Sequence, residues 1–146
     1  MRHHLLLLLV ALTAGACASS QQRAPEFIAA TSGPPRPFSP AVRANGFLYL
    51  SGQIGTDTTG RLVAGGIQPQ TRQTMENIRA LLQRSGSSLD RVVKCTVFIA
   101  DMKEWPAMNE VYTTFFAADK RPARSAAGAS GLALDARVEI ECIAAE

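Results

Sequence analysis

Apolar and polar residues recur with different periods along the chain, and each change of period predicts a new element. Two apolar segments, AVRA and FLYLSGQI, flank Asn45 and Gly46, the residue pair favoured in a two-residue β-hairpin turn. Between residues 68 and 84 the apolar positions follow the spacing of one helix face: Thr71, Met75, Ile78 and Leu82. This part of the chain therefore predicts a hairpin followed by an amphipathic helix.

The remaining apolar segments predict further strands. Short strands are expected at residues 26–30 and, after the turn TDTTG, at residues 61–63. The segment RVVKCTVFIA, residues 91–100, predicts a strand that is apolar on both faces. The segments ARSAAGAS and ARVEIECIAA, which follow Pro122 and Leu134-Asp135, predict two closing strands.

A second helix is expected after residue 100. Asp101 and Glu104 suit a helix start, and Pro106 suits a first turn because proline lacks the N–H that such a turn leaves unused. Its inner face is apolar: Met108, Val111, Tyr112 and Phe115. Two helices among strands predict an α+β domain, with both helices covering one face of the sheet. Strands that are apolar on both sides need cover on the other face too, and self-association would supply it.

The first residues have the pattern of an export signal. A short basic start precedes an apolar run at residues 5–12 that is too short to span a bilayer as a helix. Small residues then lead to Cys17, which resembles a bacterial lipobox. We predict a signal peptide at residues 1–16, a lipidated Cys17 with a tether to residue 25, and one domain at residues 26–146, on the periplasmic face of a bacterial membrane. Ordinary cleavage, leaving a soluble periplasmic protein, is the alternative.

Composition after export excludes several kinds of chemistry. Both histidines, His3 and His4, lie in the predicted signal, so the mature chain contains none. This excludes catalysis by Ser-His-Asp or Cys-His groups and histidine metal sites. Loss of Arg2 leaves 14 basic against 12 acidic residues, and a net charge of +2 gives no support for nucleic-acid binding. The sequence has no glycine-rich phosphate loop, and we expect neither a metal nor a cofactor.

Two cysteines lie within the predicted domain, Cys95 and Cys142, each on an expected strand. They have no CxxC spacing, so a zinc site is not expected. A disulfide is permitted in an oxidising compartment. We favour two buried free thiols that pack as small apolar side chains.

Several segments together resemble the RidA/YjgF family of reactive-intermediate (enamine/imine) deaminases. They are PFSPAV, LYLSGQI, QTRQTMENIRALL, VVKCTVFIADM, MNEVYTTFF, RPARSAAG and VEIECIA, in the family's order, and they span residues 26–144. The resemblance implies a single chorismate-mutase-like α+β domain, with two helices on one face of a mixed sheet of about six strands. It also implies a homotrimer with active sites between subunits, and hydrolysis of small 2-imino acids to 2-oxo acids and ammonia without a cofactor.

The resemblance also implies site residues. The substrate arginine of the family falls on Arg124, its acidic partner on Glu139, its strand serine on Ser51 and its helix asparagine on Asn109. Two positions depart from the family pattern, because Phe38 replaces a tyrosine and Ala126 a cysteine. Phe38, Ala126 and the neighbouring Ser125 are also predicted to bind substrate, together with Arg124, Ser51 and Asn109.

Each candidate also has a structural interpretation. Arg124 either clamps a substrate carboxylate or forms a salt bridge to Glu139 or Glu141. Glu139 lines a pocket or is a solvated edge charge, and Glu141 is expected to be structural. Ser51 and Asn109 would otherwise bond locally, Phe38 would anchor its loop, and Trp105 and Tyr112 are expected to pack.

Two other functions compete with deamination. The first is a trimer anchored to the envelope that binds small carboxylates without turnover. It is motivated by location, because imines made by cytosolic enzymes would not reach an exported protein. The second, a ribonuclease or translation inhibitor, is disfavoured by the small net charge, the missing histidine and export.

Overall fold

Seven strands and two α-helices make up the part of the chain that the computed structural model describes, residues 23–31 and 35–146. The helices are α1 (Ile67–Arg84) and α2 (Trp105–Tyr112). The strands are β1 (Glu26–Ile28), β2 (Ala41–Ala44), β3 (Phe47–Leu50), β4 (Gln53–Ile54), β5 (Val92–Ile99), β6 (Ala123–Gly128) and β7 (Val138–Ala145). They form one sheet in the order β1-β2-β3-β7-β5-β6, with β4 beside β7. β5 and β6 are parallel and the other pairs antiparallel, so the sheet is mixed, as predicted.

The predicted hairpin and both predicted helices are confirmed. Asn45 and Gly46 join β2 to β3 with φ of 51° and 78°, the left-handed conformation that a type I′ turn requires at both positions. Pro106 lies in the first turn of α2, and the Asp101 carboxylate caps the short 3-10 turn before it by accepting from Lys103 N–H at 3.0 Å. Local chemistry at these positions is sufficient to set the element boundaries.

The helices cover one face of the sheet. Alternate strand residues are fully buried against them, such as Leu48, Val97, Ile99, Val138 and Ile140. They pack with apolar residues of both helices: Met75, Ile78, Leu81, Leu82 and Met108. The intervening strand residues point away from the helices, and Phe47 and Tyr49 on that side are 38% and 42% exposed. Within residues 23–31 and 35–146, one sheet face therefore lacks cover, as expected, and the homotrimer stays a prediction.

Two sequence expectations are wrong. The strand expected at residues 61–63 is a single antiparallel bridge between Thr56 and Leu62, because the intervening turn is held by the Asp57 side chain rather than by a ladder. Cys95 and Cys142 are not free thiols but form a disulfide. They stand directly opposite each other on β5 and β7 with Cα atoms 4.1 Å apart, so the register brings the sulfurs together.

The predicted export elements lie outside the described residues. These are the signal peptide, Cys17 and the tether up to residue 22. Among the described residues, neither helix is both long and apolar enough to cross a bilayer.

Candidate functional site

Arg124 lies on the edge strand β6, which pairs only with β5 among the described residues. It stands in register with Cys95, which is fully buried on the helix-covered face. Aligned residues of neighbouring strands point to the same face, so the Arg124 side chain projects towards the helices. Ala126, two residues further along, points the same way and packs against the core.

The guanidinium of Arg124 contacts two aromatic rings of α2. Its central carbon lies 4.9 Å from the ring centre of Trp105 and 4.7 Å from that of Tyr112. Within the described residues, Arg124 has no carboxylate within salt-bridge distance and donates no hydrogen bond. The structural salt bridge to Glu139 or Glu141, one of the two interpretations of Arg124, is therefore absent from the described chain.

Asn109 lies on the same side of α2 as the two rings. Trp105, Asn109 and Tyr112 are separated by four and three residues, the spacing of one helix face. The Oδ1 atom of Asn109 and the hydroxyl of Tyr112 are buried without a hydrogen-bond partner in the described chain. These three residues and Arg124 form what we call the arginine cluster.

Burial shifts the pKa of Tyr112 in this cluster. It raises the pKa of Tyr112 to about 12, against an opposing effect of the nearby Arg124 charge. Desolvation dominates because the ionised phenolate would lose its hydration, and Tyr112 is only 3% exposed. An ordinary tyrosine pKa of 10.0 already leaves the phenol neutral at physiological pH, and burial extends its neutral range to more alkaline pH.

Glu139 lies on the opposite face of the sheet. It alternates along β7 with the buried Val138 and Ile140, so its side chain points away from the helices. Its carboxylate lies against the backbone of Gly52, where a Cβ atom would fall only 2.0 Å from Oε1. A residue with any side chain at position 52 would displace this carboxylate.

Ser51 precedes Gly52 in the chain and is hydrogen-bonded to the residue that follows Phe38. The Ser51 hydroxyl donates to the Ser39 carbonyl at 2.7 Å, which ties the loop carrying Phe38 to the end of β3. Phe38 itself is 52% exposed. Glu139, Gly52, Ser51 and Phe38 form what we call the glutamate cluster.

Within one chain the two clusters do not meet. Arg124 and Glu139 point to opposite faces, and β5 lies between their strands. Arg124 aligns through β5 with Cys142, which lies three residues along β7 from Glu139. The two residues are therefore roughly 10 Å apart along the strands and roughly 10 Å apart across them. A site that uses both residues requires a second copy of the chain.

Ser125 belongs to neither cluster. Its hydroxyl accepts a hydrogen bond from Lys94 Nζ at 2.7 Å on the face opposite to Arg124. Its side chain is therefore not beside Arg124, although both were expected in one pocket. The backbone N–H groups of β6 point alternately towards β5 and towards the free edge of the sheet. Ala129 N–H donates to the Ile99 carbonyl of β5, so the N–H groups of Arg124 and Ala126 lie at the free edge.

Sequence reasoning missed the roles of three residues at these clusters. The sequence predicts only packing for Trp105 and Tyr112, and it predicts no role for Gly52. The spacing of Trp105, Asn109 and Tyr112 was the available signal, because it places both rings beside a predicted site residue. The close approach at Gly52 has no sequence signal, since it depends on where β7 lies.

The groove described next does not include Arg124. A groove of about 910 Å³ is lined by residues of β2, its turn and the end of α1, including Arg43, Ser85 and Glu146. Arg43 is already paired there with Glu26 and Glu146. No group of His, Cys, Asp or Glu residues in the described parts of the chain is arranged to hold a metal ion.

Comparisons with known proteins identify the family. The model of the family described as "Endoribonuclease L-PSP" matches residues 29–146. A RutC family protein of Pyrococcus horikoshii is 47% identical over 109 residues, 74% of this chain and 86% of that protein. The 2-iminobutanoate/2-iminopropanoate deaminase of Mus musculus is 40% identical over 111 residues, covering 75% and 82%.

The solved structures show the same fold. The crystal structure of E. coli TdcF with bound serine superposes with a TM-score of 0.74 at 32% identity, covering 83% of this chain and 98% of that one. The order of segments, the mixed sheet and these matches agree. The chain therefore belongs to the Endoribonuclease L-PSP family, which is the RidA/YjgF family that its sequence resembles.

Proposed function

We propose that this protein hydrolyses small 2-imino acids, and their enamine tautomers, to 2-oxo acids and ammonia without a cofactor. One observation carries the proposal: Arg124 is a partly buried cation whose fork has no carboxylate partner among the described residues. A planar guanidinium with unused donors suits a ligand carboxylate, which it binds through two parallel hydrogen bonds. The mouse relative is named for this activity, and the TdcF structure holds a small amino acid.

The two clusters suit two parts of the reaction. Arg124 binds the substrate carboxylate, and the N–H of Ala126 at the free edge of β6 is available to the same ligand. Glu139 positions a water and takes its proton as oxygen attacks the C=N carbon. Glu139 returns this proton to the nitrogen, which gives a carbinolamine. It then carries the proton of the carbinolamine hydroxyl to the amino group, so that ammonia leaves as the 2-oxo acid forms. Phe38 and Asn109 line the pocket, and Ser51 holds the loop that carries Phe38.

The proposed active unit is a homotrimer in which each site draws on two chains. The uncovered sheet face carries Glu139 and exposed apolar residues such as Tyr49. Burying that face against a neighbour would cover the apolar surface and bring Glu139 of one chain to Arg124 of another. Light scattering should give about three times the protomer mass, and a stable monomer would contradict both the assembly and the site.

We also propose export, with lipidation at Cys17 and residues 1–16 removed. The Cys95–Cys142 disulfide supports an oxidising compartment, because such bonds are rare where thiols are kept reduced. Mass spectrometry of membrane-fraction protein should find an acylated Cys17 at the new N-terminus. An intact Met1 on protein from the cytosolic fraction would overturn this proposal.

The decisive experiment measures ammonia release from freshly generated 2-iminopropanoate. Wild-type protein should accelerate it, and Arg124→Ala should lose the acceleration while keeping its fold. Arg124→Lys should remain severely impaired, because lysine keeps the charge but not the fork. An Arg124→Ala protein with wild-type turnover per folded molecule would exclude the clamp.

A non-catalytic carboxylate-binding protein is the second candidate. It is favoured by Phe38 and Ala126, where the family pattern has a tyrosine and a cysteine. Saturable pyruvate binding that depends on Arg124, without acceleration of ammonia release, would identify this function instead.

A further inference from the structure

The guanidinium of Arg124 is held by aromatic rings rather than by an anion. It lies 4.9 Å from the Trp105 ring centre and 4.7 Å from the Tyr112 ring centre. A ring face attracts a cation through its quadrupole but does not accept N–H groups as a carboxylate does. The donors of Arg124 therefore stay available while the cation itself is fixed in place.

The helix that carries the rings forms a rigid frame. Trp105 begins α2 and Tyr112 ends it, so the length of the helix sets the separation of the two rings. Tyr112 is buried in the core, and Trp105 packs against the core from its rim. Neither ring can move far without disturbing the packing of α2 on α1 and the sheet.

We propose that Trp105 and Tyr112 are positioning residues, which hold the Arg124 guanidinium so that its fork faces a small planar carboxylate. The proposal rests on the proposed function, because the carboxylate is that of the 2-imino or 2-oxo acid. The neutral state of Tyr112 is consistent with it. A phenolate at this position would compete with the ligand for the guanidinium, but the phenol is protonated at physiological pH, and burial raises its pKa further, to about 12.

The chain offers a matched control for this contact. Arg79 of α1 lies 5.0 Å from the ring centre of Phe115, a similar cation–ring distance. Arg79, however, is paired with Glu76, and neither belongs to the two clusters. Removing the Phe115 ring therefore removes a cation–ring contact of the same kind without affecting the proposed ligand site.

The first test compares Trp105→Leu, Trp105→Phe and Phe115→Leu in the full-length chain. Calorimetry measures pyruvate affinity, ammonia release gives kcat and KM, and melting gives Tm. Trp105→Leu should weaken pyruvate binding and raise KM on the order of tenfold, with a smaller change in kcat. Trp105→Phe should restore most of the affinity, and Phe115→Leu should change only Tm. A folded Trp105→Leu protein with wild-type pyruvate affinity and KM would overturn the positioning role.

A second measurement does not depend on activity. Trp105 is the single tryptophan of the chain, so tryptophan fluorescence reports on the surroundings of this ring, which include the Arg124 guanidinium. Arg124→Met removes the cation but keeps an unbranched side chain, and it should change the emission of ligand-free protein. Identical emission from wild type and Arg124→Met would overturn the contact, whether or not any Trp105 variant folds.

The two proposals fail in different ways. If wild-type protein neither binds pyruvate nor releases ammonia, the proposed function fails, and the emission of Arg124→Met alone decides whether the rings hold the cation. If the Trp105→Leu protein is fully active at unchanged KM, the positioning role fails and the proposed function stands.

Discussion

The arginine cluster and the glutamate cluster differ in how much of their surroundings one chain supplies. Arg124 projects to the helix-covered face, where two rings of α2 fix its guanidinium. Glu139 projects to the face that the described helices leave uncovered, where its carboxylate lies close to the backbone of Gly52. The protein's own core determines the first environment, whereas the second depends on whatever covers the sheet.

This difference suggests a division of work. A cation held by rings is suited to bind, because its donors are oriented before the ligand arrives. A carboxylate at an uncovered face is suited to hold water until the assembly excludes bulk solvent. Substitutions in the two clusters should therefore affect different kinetic constants.

The largest expected effect is that of Glu139→Gln. Loss of the general base should lower kcat by about 10²-fold or more, while pyruvate affinity stays close to wild type. Glu141→Gln is the matched control, because Glu141 lies two residues along the same face of β7 outside both clusters. Equal loss of pyruvate affinity in Glu139→Gln and Arg124→Lys would show that the division of work is wrong.

Mixed trimers test whether the clusters meet between chains. Arg124→Ala and Glu139→Gln should each be inactive alone, but their co-expression in equal amounts should recover about one quarter of wild-type activity. That fraction follows because each site then has even odds of an intact arginine and of an intact glutamate. A site within one chain would recover nothing, since every chain in the mixture lacks one residue.

Gly52→Ala should perturb the glutamate cluster alone. The added Cβ would lie 2.0 Å from Glu139 Oε1, so the carboxylate must move. We expect kcat to fall about tenfold, which corresponds to about 1.4 kcal/mol, with pyruvate affinity retained. Gly131→Ala is the control, because a Cβ there meets no atom within 4 Å. Unchanged kcat in a folded Gly52→Ala protein would mean that the position of Glu139 is not critical.

The smallest effect concerns the arginine cluster at high pH. The pKa of Tyr112 is raised from 10.0 to about 12 in the folded state, so unfolded chains lose this proton first as the pH rises. The stabilisation is complete below pH 10 and is lost as the pH rises towards 12, with a decrease in unfolding free energy of up to about 2 kcal/mol. Denaturant titrations of Tyr112→Phe should lack this alkaline decrease in unfolding free energy. Tyr49→Phe, which changes a more exposed tyrosine, should still show the decrease. The same alkaline slope in wild type and Tyr112→Phe would contradict the burial effect.

Local chemistry made most of the fold predictable. Asn45 and Gly46 determine a turn whatever surrounds them, and the spacing of Met75, Ile78 and Leu82 selects a helix face. The strand expected at residues 61–63 failed because the side chain of Asp57 satisfies the turn there and no partner strand extends the single bridge. Strand formation depends on pairing, which a short segment does not encode.

Residue type and spacing along the chain were enough to predict the hairpin, both helices and most strands. The order of seven segments carried the resemblance to the family, and that resemblance marked Arg124, Glu139 and Asn109 as candidates. Which side chains contact one another depends instead on how the strands and helices pack. The register of β5 and β7 joined Cys95 to Cys142, and the alternation of strand faces separated Arg124 from Glu139. The packing of α2 on the sheet placed the rings of Trp105 and Tyr112 against Arg124. Such contacts join residues far apart in the chain, and their partners are set by how strands pair and helices pack, which no local pattern specifies.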